Sequence, residues 1–463
     1  MAANVFVTGK EYRDGQGTSE DAKLMMEQLA SWEVSNSRDL AYSFGRASML
    51  LNKYLRSDEP EVVAGRNALS LDPMNVQVAG IPLNEYVAIV TAFYSALNVL
   101  KPQDLIDNTK SFRFDVDALF SRTKIPREHF DLFLQNRART IEEFRKELAG
   151  DGFKSADELG AALKTDRFIG DYRAFRRTPF IFVAEKIVIP IDVKFIFELL
   201  AVGVYWSLFD GFPSKQRDRF AQLWGRIFHL YCRDLMRFNY PDGITNPLEF
   251  ELPFDAGAAD AVLDFGADVV VFEFKGSLLT HAAKSERNFA EFEKDCRKKF
   301  VEKDTGERKG VSQLAAAALA IDEQRLKTAM RPKAIYPVLV CYEAAVESFW
   351  LNKYADGIFR SIVGDRTHIK PLTMMSIQEL ESLLPHMIRD GLTWPEILDR
   401  RFHDGTVWPI SVHQAVYEWS RGRRLPPSRN EFLLKAYEDT FNESLALIKD
   451  DEPSADSAHG DEL

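Results

Sequence analysis

The chain has 463 residues and a mass of 52.8 kDa, which at roughly 150 residues per domain predicts two or three domains. Its apolar fraction of 46% and charged fraction of 28% are ordinary for a folded protein and exclude a mainly disordered chain. The net charge of −11 argues against a protein that coats nucleic acid or anionic membrane over its whole surface. Any phosphate-binding surface is therefore expected to be local.

The cysteines and the apolar segments indicate a cytoplasmic protein. Cys232, Cys296 and Cys341 stand too far apart for a zinc-ligand pattern or a disulfide framework. The N-terminus lacks the basic region and long apolar run of a secretory signal. The most apolar stretch, Leu199 to Phe209, has only 11 residues, whereas a bilayer needs about 20, so it predicts a buried helix and no membrane association.

Residues 1 to about 175 are expected to form a mostly helical N-terminal domain. Two capping boxes, which begin at Thr140 and Ser155 and have Glu three residues later, support helix starts there. This half contains no phosphate-binding or metal-binding motif, so we expect it to regulate, target or oligomerise the protein. Apolar periodicity predicts helices near 20–33, 38–55, 83–99 and 125–164.

An α/β domain is predicted over residues 176–395, followed by a helical extension over 396–449 and an acidic disordered tail over 450–463. Short β-branched and aromatic runs separated by turns predict strands, and apolar residues at helical spacing predict helices. In chain order the expected elements are a hairpin at 179–190, a helix at 217–236, three antiparallel strands at 248–252, 260–265 and 268–275, helices at 284–303 and 310–328, strands at 336–341 and 369–375, and a helix that Ser376 caps.

Three charged residues on or near the last of the three antiparallel strands, which together form a meander, could form a catalytic site. Glu273 and Lys275 lie two positions apart and therefore share one face of a strand. If the strands pair through a turn at Gly266 and Ala267, Asp260 lies at the level of Glu273 and Lys275 on the neighbouring strand. Asp264 and Asp268 flank that turn and are better explained as turn residues.

Two carboxylates at one point bind a hard divalent cation such as Mg²⁺ or Mn²⁺, which prefers oxygen ligands. A neighbouring ammonium can orient a water molecule, and the cation neutralises the charge that develops on a phosphate. The arrangement suits hydrolysis of phosphodiester bonds without a covalent intermediate. The alternative that Glu273 and Lys275 are a solvated surface ion pair stays open at this point.

Asp260 together with Glu273-Phe-Lys275 resembles the motif of the PD-(D/E)XK, or restriction-endonuclease-like, nuclease superfamily, with Ala259 in the place of the Pro. The resemblance covers residues of about 215–390 and implies an α/β/α core with a mixed sheet. Three further segments resemble the family's opening helix, its helix with a Gln near the substrate, and its last strand entering a helix. These segments are 225–231, 309–314 and 371–379.

The resemblance implies a role for each matching residue. Asp260 and Glu273 would be metal ligands, Lys275 would orient the attacking water, and Gln313 would lie near the scissile phosphate. His229 stands where the family's opening helix often supplies a Glu, and we expect it to be a structural helix residue. The resemblance implies a nuclease that acts on nucleic acid, with DNA favoured, and an effector of restriction or anti-phage defence.

Two other classes of function remain open from sequence. A nuclease fold without catalysis would be a nucleic-acid-binding or scaffold protein, and an interaction protein could use its helical half while the α/β half is only structural. They are separated by whether Asp260, Glu273 and Lys275 meet in space. The preferred nucleic acid, the oligomeric state and any regulatory partner of the N-terminal domain are not encoded in these motifs.

Overall fold

The computed structural model describes residues 40–98, 113–150, 173–240, 248–250, 259–280, 283, 289–301, 308–326, 328–342, 344–402, 411–421, 423 and 429–448. The chain divides into two compact units. The five-stranded unit comprises the described parts of Met1–Tyr42, Ser57–Val62 and Ala221–Phe432, and the four-stranded unit those of Ser43–Arg56, Val63–Phe220 and Leu433–Leu463. The expected helix at 20–33, the capping box at Ser155 and the acidic tail lie outside the described residues.

Helices and strands are numbered here in chain order. The α-helices α1 to α16 are Leu40–Ser48, Pro60–Leu69, Leu83–Asn98, Val116–Ser121, Arg127–Arg137, Ile141–Gly150, Arg173–Arg177, Val193–Gly211, Ser214–Asn239, Phe289–Cys296, Val311–Asp322, Phe349–Val363, Ile377–Arg389, Trp394–Arg400, Val412–Ser420 and Glu431–Ala446. The strands β1 to β11 are Gln77–Val78, Ile81–Pro82, Phe114–Asp115, Ala138–Thr140, Phe180–Ala184, Ile187–Pro190, Leu248–Phe250, Ala261–Asp264, Asp268–Lys275, Ala334–Cys341 and Thr373–Ser376. Single π-helical turns at Met49–Tyr54 and Arg297–Val301 extend α1 and α10, and a short 3₁₀ helix covers Ala344–Glu347.

The four-stranded unit contains helices and also a small sheet, which the sequence analysis did not predict apart from the hairpin at 179–190. Its sheet has the order β3, β6, β5, β4, in which β3 and β5 are antiparallel to β6 and β4 is parallel to β5. Strand β4 interrupts the helix expected over 125–164, and Thr140 begins α6 through the expected capping box with Glu143. Strands of two or three residues are too short to show the alternation by which a strand is recognised in sequence.

The hairpin expected at 179–190 is present as β5 and β6, but it groups with the four-stranded unit. The unit boundary in the chain falls between Phe220 and Ala221, whereas the sequence analysis placed it near residue 175. The reason is tertiary pairing, because β5 and β6 complete a sheet with strands that lie up to about 70 residues earlier. Phe93 packs against this sheet with its ring centroid 4.5 Å from that of Phe180.

The five-stranded unit contains a mixed sheet in the order β11, β10, β9, β8, β7. Strand β8 is antiparallel to both of its neighbours, β7 and β9, as expected for the meander, whereas β10 is parallel to both β9 and β11. All eight residues of β10 are buried, which is typical of a strand covered on both faces. The structure therefore confirms a mixed α/β architecture.

Helices α11 and α9 supply apolar side chains to the core of this unit. Helix α11 is Ala-rich and buries Leu314, Ala317 and Ile321 in the same cluster as Val271 of β9 and Leu339 of β10. Helix α9 extends over the expected 217–236 range, and its buried face includes Trp224, Ile227, Phe228 and Tyr231. Small residues on α11 allow a close approach to the sheet.

The helices beyond residue 390 are present, although they do not form one separate extension. Residues up to Phe432 group with the five-stranded unit and later residues with the four-stranded unit. Arg401 helps to hold the residues after 390 in the five-stranded unit. Its buried guanidinium donates hydrogen bonds to Thr373 Oγ1 at 2.6 Å and Asn352 Oδ1 at 3.0 Å. Among the described helices, including α8 over the apolar 199–209 stretch, none combines the length and apolar character needed to cross a bilayer.

Gly310, immediately before α11, is a position that only glycine fits. Its φ of +47° and ψ of −104° are unfavourable for other residues, and an added Cβ would stand 2.2 Å from Phe300 O. We predict that Gly310→Ala lowers the free energy of unfolding by about 3 kcal/mol, through backbone strain and overpacking. Urea unfolding measures this loss.

Gly357→Ala is the matched control for that substitution. Gly357 lies inside α12, and an added Cβ would meet no atom within 4 Å, so the change is expected to raise the free energy of unfolding by about 0.5–1 kcal/mol. Similar effects of the two substitutions would contradict the conformational requirement at Gly310.

Candidate active site

Asp260 is held at the start of β8 by the backbone of β9. Its N–H donates to Phe272 O at 2.9 Å, and its Oδ2 accepts from the Phe274 N–H at 2.7 Å. The register pairs Ala261 with Phe272, so one residue further along Asp260 lies opposite Glu273. The antiparallel pairing expected from sequence is therefore present, and it places the two carboxylates on neighbouring strands at the same level.

Glu273 and Lys275 meet at the end of β9, as their spacing predicts. Lys275 Nζ donates a short hydrogen bond to Glu273 Oε1. Only 1% of the Glu273 side chain and 16% of the Lys275 side chain are exposed, so this is a buried pair and not the solvated surface pair that sequence left open. Glu273 Oε2 is buried and has no hydrogen-bond partner among the residues that the structure describes.

Gln313 joins this group from α11. Its Oε1 accepts from Lys275 Nζ at 2.9 Å and from the Gly310 N–H at 2.8 Å. One oxygen therefore caps the first turn of the helix and also fixes the ammonium. Gln313 thus combines capping of the helix with contact to Lys275.

The electrostatics of the group are dominated by burial and by two nearby carboxylates. The pKa of Glu273 is raised to about 8, chiefly by burial and further by the charge of Asp260, against the opposing effect of Lys275. Burial acts to lower the pKa of Lys275, but the charges of Glu273 and Asp260 and the hydrogen bond to Glu273 outweigh it, so the pKa lies above its usual value. Lys275 is consequently an ammonium and a hydrogen-bond donor.

Helix α9 packs closely against Gly276, the residue that follows β9. An added Cβ on Gly276 would stand 3.0 Å from Phe228 Cβ and 3.2 Å from Gly225 Cα, so the absence of a side chain at Gly276 permits the approach. One turn further along α9, His229 Nε2 is 3.6 Å from Asp260 Oδ1. His229 is therefore next to Asp260, which its position in the sequence could not establish.

Sequence analysis missed the residues that support the site. Gly276 and Gly310 set the backbone, and Arg226 donates to His229 Nδ1 over a distance of 3.1 Å. Arg226 stands three residues before His229 on a helix, a spacing that places side chains on one face, so this contact had a signal in the sequence. The two glycines had none apart from lying at element ends.

The site offers two carboxylates to a hard divalent cation, fewer than a full set of protein ligands. Within the described ranges, no group of three or more His, Cys, Asp or Glu side chains is arranged as metal ligands. Asp260 and Glu273 supply two carboxylates, and the buried oxygen Glu273 Oε2 has no other hydrogen-bond partner in that part of the chain. Mg²⁺ commonly uses one or two carboxylates and retains several waters, so this donor set is sufficient for it.

Comparison with known proteins assigns no family to this geometry. No protein-family model matches the chain, and neither a curated protein nor a solved structure does. The resemblance to restriction-endonuclease-like nucleases remains an expectation that depends on Asp260 and Glu273-Phe-Lys275.

The buried pair predicts unequal costs for removing its two members. Lys275→Met would leave the buried Glu273 carboxyl without the ammonium that stabilises its charged form, and we expect the free energy of unfolding to fall by about 3 kcal/mol. Glu273→Gln keeps a hydrogen-bond acceptor for Lys275 and should cost about 1 kcal/mol. Urea unfolding in EDTA measures both losses.

Lys370→Met is the control for removing a paired lysine. Lys370 Nζ is 3.1 Å from Asp399 Oδ1, but the two side chains are 33% and 52% exposed, so the expected loss is below about 1 kcal/mol. Equal losses for Lys275→Met and Lys370→Met would contradict the conclusion that burial dominates the site.

Proposed function

We propose that this protein is a metal-dependent nuclease that hydrolyses phosphodiester bonds of nucleic acid, and that it is a DNA endonuclease. The observation that carries the proposal is the convergence of Asp260, Glu273, Lys275 and Gln313 at the carboxyl end of β9. Two carboxylates beside a fixed ammonium are the groups that such hydrolysis needs. Glu273 Oε2, which is buried and lacks another partner within the described residues, supports cation binding at this point.

The architecture around the site gives further support. We propose that the five-stranded unit is a restriction-endonuclease-like domain with an α/β/α core. An antiparallel meander continues into two parallel strands, α9 precedes it, and α11 lies between β9 and β10 in the chain. This is the order of elements that the sequence resemblance implies.

Asp260 and Glu273 would hold the divalent cation, Mg²⁺ or Mn²⁺. When bound, such a cation withdraws charge from a phosphate and lowers the pKa of a coordinated water. Asp260 is oriented for this role by the Phe274 N–H, and Glu273 Oε2 is buried with no hydrogen-bond partner among the described residues. Both ligands are therefore fixed by strand backbone, which limits the reorganisation required on binding.

Lys275 would act as a donor rather than as a base. Its raised pKa keeps the ammonium protonated, so it can orient the attacking water or stabilise negative charge on the phosphate. Gln313 holds the ammonium through Oε1 and so restricts its position. In the overall reaction, water oxygen bonds to phosphorus, the P–O ester bond breaks, and a proton passes to the leaving oxygen.

The proposed nuclease activity would need regulation, and the N-terminal half of the chain is the candidate for that role. A nuclease without control would damage the DNA of its own cell, so we propose that the four-stranded unit gates, targets or oligomerises the nuclease unit. A role in restriction or anti-phage defence, in the cytoplasm, is the setting that fits such an arrangement.

Cleavage of supercoiled plasmid, linear DNA and single-stranded RNA tests the proposal. We predict cutting of supercoiled DNA with Mg²⁺ or Mn²⁺ and none in EDTA. Glu273→Gln and Lys275→Met should each reduce the rate at least about 100-fold, because each removes a group that acts on the transition state. Gel analysis over time measures the rates.

Asp399→Asn and Lys370→Met form the matched control, since they alter an acid and a lysine of the same unit that pair with each other outside the site. Both should cut like the parent protein. Metal-dependent cutting that persists in Glu273→Gln and Lys275→Met would contradict the assigned site. Inactivity on every substrate, together with no binding of Mn²⁺, would favour the scaffold function instead.

A further inference from the structure

His229 connects Asp260 to two more charged side chains. Its Nε2 is 3.6 Å from Asp260 Oδ1, and its ring is tilted against that of Phe274 with 6.0 Å between centroids. On its other side, Arg226 Nη1 is 3.1 Å from His229 Nδ1. Arg226 is held in turn by Glu61, whose Oε2 is 2.8 Å from Arg226 Nε. All of these residues belong to the five-stranded unit.

The contact with Arg226 determines which ring nitrogen of His229 carries the hydrogen. A guanidinium has only donors and does not lose its proton in proteins, so His229 Nδ1 must accept with its lone pair. A neutral imidazole then has its hydrogen on Nε2, the nitrogen that faces Asp260 Oδ1. A protonated Nε2 has no lone pair to offer a metal ion.

We propose that His229 is a positioning residue that orients the Asp260 carboxylate through its Nε2–H. The two oxygens of Asp260 then face two donors, the Phe274 N–H at Oδ2 and the His229 N–H at Oδ1, and a hydrogen bond from each would fix the plane of the carboxylate. The distance of 3.6 Å is longer than a direct hydrogen bond, and contacts of this kind commonly shorten when substrate binds. The catalytic consequence of this inference rests on the proposed function, whereas the tautomer and the contact with Asp260 do not.

If His229 orients Asp260, its removal should change the affinity for the metal ion by a measurable factor. Groups that orient a metal ligand without touching the metal typically change metal affinity 10–100-fold when they are removed. The donor role also separates two substitutions. Glutamine can present an N–H near the position of His229 Nε2, whereas leucine fills similar space without any donor.

Nuclear magnetic resonance of the full-length protein with ¹⁵N-labelled histidine tests the tautomer directly. The His229 signals are those lost in His229→Gln, and we expect a protonated Nε2 and an unprotonated Nδ1. His368 is a reference in the same unit, because its Nε2 is 2.8 Å from Asp322 Oδ1, a carboxylate that requires a donor. Asp260→Asn should shift the His229 Nε2 signal and Asp399→Asn should not. A protonated Nδ1, or no response to Asp260→Asn, would overturn the proposal.

Calorimetric titration with Mn²⁺ tests the consequence for the site. His229→Gln should bind Mn²⁺ within about threefold of the parent, and His229→Leu about 10–100-fold more weakly, with the Mn²⁺ dependence of cleavage shifted to the same extent. His368→Leu, away from the site, should leave both quantities unchanged. Equal losses in His229→Gln and His229→Leu would make His229 a metal ligand and overturn the positioning role, as would wild-type affinity in His229→Leu. If the parent neither binds Mn²⁺ nor cleaves nucleic acid, the proposed function fails while the resonance experiment still decides the role of His229 toward Asp260.

Discussion

The buried ion pair of Glu273 and Lys275 is the constraint around which the candidate site is organised. A carboxylate with 1% exposure is strongly disfavoured in the interior unless cations and donors compensate for its lost hydration. Lys275 supplies the compensating positive charge, and Gln313 holds Lys275 in place. Asp260 acts in the opposite direction, because it adds a second negative charge near Glu273. A buried pair adds little net stability compared with apolar residues of the same size, so stability alone does not explain its presence in an apolar strand.

The backbone of the five-stranded sheet provides most of the precision at this site. Strand alternation puts Glu273 and Lys275 on one face, and antiparallel pairing brings Asp260 to the same level. Two glycines then permit close approaches, Gly276 toward α9 and Gly310 at the start of α11. Because strands and helix ends carry the side chains of the candidate site, the positions of these side chains depend on packing of the sheet and helices.

Long periodic patterns were predictable from sequence, whereas short elements were not. The predicted strands around Asp260 and Glu273 and the capping box at Ser376 agree with the structure, because alternation and capping are local properties. The four-stranded sheet was missed since β3 and β4 have two and three residues. These strands pair with β5 and β6, which lie far away in the sequence. That pairing places β5 and β6 in the four-stranded unit, so the boundary between the units falls after Phe220.

The sequence by itself determined which chemical groups are available and that Glu273 and Lys275 share a face, because strand geometry has a fixed period of two. Strand pairing also indicated Asp260, and the resemblance to a nuclease motif indicated Gln313. Only the tertiary structure decided that Lys275 is buried against both Glu273 and Gln313, and that His229 stands beside Asp260. Those contacts join residues up to about 40 positions apart, and their distances depend on how closely the helices pack on the sheet.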